Sequence, residues 1–100
     1  MNKQAVGFLA VVFMWRRYIR QDTYDALLDG AYLLAEALGT GHEELAEAIR
    51  IANKYYHALY NRAYWKNLRR REVWEEAVQI VEEELGITLQ MPGGEGRWNA

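Results

Sequence analysis

Apolar residues recur at helical spacing along four stretches of this chain. The first, approximately 3–21, carries two apolar stripes. Phe8, Val12, Trp15 and Ile19 form one, and Gly7, Val11, Met14 and Tyr18 form the other. A helix that is apolar on two faces is either central to its own bundle or shared with a second chain. In the second case Gly7, Val11, Met14 and Tyr18 would be the interface of a homodimer or of a larger assembly.

The second stretch, approximately 23–38, has Asp22 or Thr23 to cap its start and Gly39 to stop it. Tyr24, Leu27, Leu28, Ala31, Leu34, Ala35 and Leu38 make its inner face, while Asp25, Asp29, Tyr32 and Glu36 face outward. The third stretch, approximately 42–68, starts at Thr40 or Gly41, with Glu43 and Glu44 in a first turn where the helix dipole favours acids. Leu45, Ile49, Ala52, Tyr56, Leu59 and Ala63 step by four and three along a core seam, with Tyr60 on the same side.

No glycine or proline separates Gly41 from Gly86, so one long helix is formally allowed. A break near residues 67–71 is expected instead. The apolar phase fails there, the Arg69-Arg70-Arg71 triplet suits a helix C-terminus, and Glu72, Glu75 and Glu76 suit a new N-terminus. The fourth stretch, approximately 71–85, buries Val73, Trp74, Ala77, Val78, Ile80, Val81 and Leu85 and ends at Gly86. The expected fold is therefore all-α, a compact bundle of about four helices. Residues 1–86 form one domain, and residues 87–100, with Trp98 among them, form a flexible tail.

Composition agrees with this picture. One hundred residues, 51% of them hydrophobic, suffice for one domain with a core. The absence of cysteine removes disulfides and thiolate sites. The apolar run over residues 5–15 is short of the roughly 20 residues that span a bilayer, so no membrane partner and a cytoplasmic location are expected.

Charge changes the picture more. A net charge of −2 conceals blocks of alternating sign: Lys3, Arg16, Arg17 and Arg20, then seven acids up to Glu47, then seven bases from Arg50 to Arg71, then acids again. The second basic block also holds Tyr55, Tyr56, His57, Tyr60, Tyr64 and Trp65. On a helical wheel Tyr55, Arg62, Lys66 and Arg69 share one stripe, flanked by Lys54 and Trp65. Guanidinium groups pair with phosphate and exposed aromatic rings stack on bases. Lys54, Tyr55, Arg62, Trp65, Lys66, Arg69, Arg70 and Arg71 are thus the candidate contacts to nucleic acid or a nucleoprotein, extended by Arg16, Arg17 and Arg20 if the helix ends meet. The competing explanation needs no ligand: dipole compensation at helix ends, and neutralisation of the basic helix by an acidic neighbour, would give the same blocks.

Glu43-Glu44-Leu45-Ala46-Glu47 is similar to the first half of the metal site in all-helical nucleoside triphosphate pyrophosphohydrolases of the MazG type. That resemblance covers about seven residues and implies Mg²⁺ held by carboxylates, completed by a Glu-x-x-Asp on the following helix. The nearest match here, Glu72-Val73-Trp74-Glu75, departs at its last position and lies beside three arginines.

Nothing else points to catalysis. His42 and His57 are at no ligand spacing, serine is absent, and Thr23, Thr40 and Thr88 have no candidate base beside them. The residues point to a non-catalytic binding protein with no metal and no cofactor, of the kind that serves a phage, mobile element or defence system as an accessory. The alternative is a self-assembling module for protein–protein contact.

Overall fold

The computed structural model describes residues 1–20, 24–37 and 39–90, leaving out the side chains of residues 20, 24–28, 31 and 34. Four helices occur among them: α1 (Lys3–Arg20), α2 (Tyr24–Ala37), α3 (His42–Lys66) and α4 (Arg70–Leu85). The all-α bundle is as expected. The capping of α2 by Asp22 or Thr23 and the role of Trp98 lie outside the described residues.

Local chemistry explains the helix ends that lie within the described residues. The Asn2 side chain accepts the Ala5 N–H and so caps α1. At the end of α2, Gly39 adopts φ 69°, and the Thr40 N–H reaches back to the Ala35 carbonyl. Gly41 is the N-cap of α3. The α3–α4 break falls at Asn67, which is left-handed at φ 53°. Its N–H donates to Tyr64 O and the next, Leu68 N–H, to Ala63 O. Asparagine is the non-glycine residue that best tolerates this conformation, so it terminates a helix that has no glycine to do so.

The placement of the break corrects one expectation. The arginine triplet does not close α3; Arg69 is the N-cap of α4, and Arg70 and Arg71 are its first two residues. Glu72, at the third position, accepts the Arg69 backbone N–H at 3.0 Å, which supplies the capping interaction.

α1 is the centre of the bundle. Val6, Leu9, Ala10, Val11, Phe13 and Met14 are buried, against Leu45, Ala48, Ile51, Ala52, Leu59 and Ala63 of α3 and Val73, Trp74, Ala77, Ile80 and Val81 of α4. The stripe offered above as an oligomer interface is covered within the chain: Gly7, Val11 and Met14 are buried and Tyr18 is partly so. A helix with two apolar faces needs cover on both, and α3 and α4 provide it without a second copy.

The chain also stays packed past Gly86, where the tail was expected to begin. A Cβ at Gly7 would collide with the Leu89 side chain, so the bare glycine is the seat on which Leu89 rests. The Gln4 side chain donates to Thr88 O at 2.8 Å and accepts the Gln90 N–H at 2.9 Å, while Leu89 N–H donates to Glu82 at 2.8 Å. Residues 87–90 therefore belong to the folded body, and any free tail starts later.

Replacing the fully buried Leu59 with alanine tests this core. Leu59→Ala should cost about 2–5 kcal/mol, seen as a lower urea midpoint at unchanged slope.

Candidate nucleic-acid interface

The basic helix α3 runs antiparallel to the acidic helix α4, and that pairing decides which cations remain available. Going down α3, Arg50, Lys54 and Tyr55 meet Glu84 near the end of α4, and Arg62 and Lys66 meet Glu76 near its middle. Lys66 Nζ lies 2.8 Å and Arg62 Nη1 3.3 Å from the Glu76 carboxylate. The Tyr55 hydroxyl donates to Glu84, with Lys54 Nζ 3.8 Å and Arg50 Nη2 3.6 Å away.

Both carboxyls are held below the usual carboxylate range. Hydrogen bonds from Lys66 and then Arg62 do this for Glu76, and the bond from Tyr55, aided by Lys54 and Arg50, does it for Glu84. Lys54, Tyr55, Arg62 and Lys66, four of the expected ligand contacts, are thus engaged by acids of the same molecule. The wheel placed their stripe outside the core, and it does lie outside, but on the shoulder of the buried arc where α4 packs.

The aromatic residues of α3 divide differently from the expectation. Tyr60, assigned to the core, is 44% exposed, and Tyr56 is only partly buried. Tyr56, Tyr60 and Tyr64 stand at four-residue spacing on the flank of α3 toward the end of α1. Tyr60 meets Tyr18 with ring centroids 6.0 Å apart and Tyr56 with centroids 6.4 Å apart. Arg17 of α1 sits over the Tyr56 ring at 4.0 Å and donates to the Asn53 side chain at 3.3 Å. The ends of α1 and α3 therefore do meet, but Arg17 is committed there. Arg16 lies toward Gly30 of α2, and the Arg20 side chain is outside the described residues.

What remains is the α3–α4 turn. Arg69, Arg70 and Arg71 are exposed, and among the described residues none has an acid within ion-pair distance. Beside them Trp65 and Tyr64 are 82% and 68% exposed, packed edge to face at 5.2 Å. The turn is held rigidly from below: Trp15 Nε1–H donates to the Arg70 carbonyl at 3.1 Å, and the Trp15 ring packs edge-on to Trp74 at 5.2 Å. Next to it, Tyr18, Ile19, Tyr60, Tyr64, Leu68 and Arg70 line an open hollow of about 300 Å³. Sequence reasoning set Tyr18 at an oligomer interface and Tyr60 in the core and gave Tyr64 no contact role, although the four-residue tyrosine ladder was there to be read.

The acidic motif of α3 builds no comparable site. Glu44 accepts the Asn2 backbone N–H, which lowers its pKa, Glu47 pairs with Arg50, and Glu72 caps α4. Among the described residues no three histidine or acidic side chains converge as metal ligands would. No family model, curated protein or solved structure matches the chain.

Because Glu76 and Glu84 titrate lower in the folded chain than in the unfolded one, their pairing contributes stability that is fully present above the ordinary glutamate pKa. It disappears as pH falls through their lowered values. Thermal melts should be insensitive to pH from neutrality to about pH 5 and fall below about pH 4. Glu76→Gln should flatten that acid decline, and an unaltered decline would mean the Arg62–Glu76–Lys66 cluster stabilises nothing.

Proposed function

We propose that this chain is a small, non-catalytic, cytoplasmic binding module that contacts nucleic acid or a nucleoprotein complex. The contact surface in this reading is the α3–α4 turn, formed by Arg69, Arg70 and Arg71 with Tyr64 and Trp65, and not the whole basic face of α3. An accessory role in a phage, mobile element or defence system suits such a module.

One observation supports the reading above all. Arg70 and Arg71 occupy the first turn of α4, where the helix dipole makes cations unfavourable. Dipole compensation, which accounts for acids at the start of a helix, cannot account for them. Neutralisation does not either: Glu76 and Glu84 pair with α3, Glu72 accepts the Arg69 backbone N–H, and among the described residues no ion pair joins an acid to Arg69, Arg70 or Arg71. Three adjacent guanidiniums that weaken their own helix and have no partner among the described residues are a local rule broken, and such breaks gather at functional sites. The dipole adds its own positive end to theirs, so the site is set up for an anion. Exposed Tyr64 and Trp65 add faces on which bases stack.

A second reading, a module for protein–protein contact or self-assembly, is favoured by α2 alone. Leu33 is 68% exposed and Tyr32 is exposed beside it, flanked by Asp29 and Glu36. Under that reading the mass in solution exceeds that of the monomer, and salt leaves it unchanged.

The triple variant Arg69→Glu, Arg70→Glu, Arg71→Glu separates binding from folding. It should weaken anisotropy-detected binding of a labelled oligonucleotide at least about tenfold, while its melting temperature stays level or rises, because acids suit a helix N-terminus. For the unaltered chain the log–log salt slope with single strands should be about −2, from three phosphate contacts. Full binding by the triple variant would reject the proposal.

A further inference from the structure

The hollow beside the arginine turn fits one ligand better than others, and resting on the proposed function it narrows the nucleic acid to a single strand. We infer that the hollow between α1 and α3 takes one unstacked nucleobase, while Arg69, Arg70 and Arg71 hold the phosphates on either side of it.

Shape comes first. The space of about 300 Å³ lies at the small end of ligand sites, where one ring system fits. Its walls carry three tyrosines, Tyr18, Tyr60 and Tyr64, with Ile19 and Leu68, and their exposed lining is more polar than apolar. Tyr18 and Tyr60 are tilted at 59° to each other at 6.0 Å and so are not a closed stack. Tyr60 and Tyr64 keep much of their ring surface open. A base has a π-face to lay against such rings, but in a duplex that face is hidden between its neighbours. A single strand or a free nucleotide offers it, and a duplex does not.

Charge decides the rest. Arg70 belongs both to the wall of the hollow and to the arginine triplet, so the tyrosine-lined slot and the cationic turn are one continuous surface. Successive residues at a helix start project about 100° apart, so Arg69, Arg70 and Arg71 cannot all converge on one phosphate. Their spread matches a chain of phosphates running past the slot, which a free nucleotide lacks. Tyrosine stacking and arginine–phosphate pairing ignore the sugar. RNA and DNA strands of one sequence should therefore bind within about threefold of each other.

The test measures the chain, Tyr60→Ala and Tyr64→Ala against five probes: a labelled strand of about ten nucleotides as RNA and as DNA, the duplex of the same sequence, inorganic polyphosphate and free AMP. Circular dichroism first establishes that each variant is folded. The unaltered chain should prefer the strand to the duplex by about tenfold. Each tyrosine variant should lose about tenfold in strand affinity and nothing toward polyphosphate. Equal binding of strand and duplex, or strand affinity undiminished in both variants, overturns the base slot while the arginine surface stands. AMP bound as tightly as the strand overturns the assignment to a strand. Failure to bind any probe overturns both this inference and the function on which it rests.

Discussion

A helix without a polar face must be wrapped, and wrapping α1 is the constraint from which the rest of this bundle follows. Val6, Leu9, Val11, Phe13 and Met14 are all buried on it, each contributing about 1.5–3 kcal/mol by leaving water. The exposed ion pairs between α3 and α4 contribute about 0–1 kcal/mol apiece. Packing therefore sets the arrangement and charge adapts to it. α3 and α4 close over α1 side by side, and the segment 87–90 covers the start of α1, where Gly7 leaves room for Leu89.

Once α3 and α4 lie antiparallel on α1, the sorting of charge is fixed. The shoulder of α3 that carries Tyr55, Arg62 and Lys66 faces the shoulder of α4 that carries Glu76 and Glu84. These two glutamates, eight residues apart, each gather more than one partner. They quench the basic helix from Arg50 to its last residue, Lys66, and leave the arginines of the following turn untouched. A broad basic face in sequence becomes a compact cationic corner in space, next to the region where α1 and α3 bring Tyr18, Tyr56, Tyr60 and Tyr64 together.

Much of the fold was legible in the chain because it depends on local signals. Helix spans followed from apolar spacing, and Gly39 and Gly86 stopped α2 and α4 as glycines do. The break between α3 and α4 was legible from charge and phase, but not its mechanism, since Asn67 announces a left-handed stop only once the backbone is known. That error displaced Arg69–Arg71 from the end of one helix to the start of the next and reversed the sign of the dipole argument. The site was legible only in part, for a different reason. A helical wheel gives the azimuth of Arg62 and Lys66 but not the azimuth of the neighbour that packs there. For the same reason Gly7, Val11 and Met14 read equally well as interface or as core, and Tyr60 read as buried when it borders an open hollow.

The corrected position of the arginines carries the strongest physical content. At a helix C-terminus three cations would stabilise the fold and require no further explanation. At the N-terminus they oppose it, and the compensations around them are unusual for a surface turn: Glu72 caps the backbone of Arg69, and Trp15 ties down the carbonyl of Arg70 while bracing Trp74. Two tryptophans and a capping glutamate hold rigid a turn whose own side chains repel one another. Stability is sacrificed locally and recovered from below, which is the arrangement expected where a fixed cluster of positive charge, and not the helix that bears it, is what the fold retains.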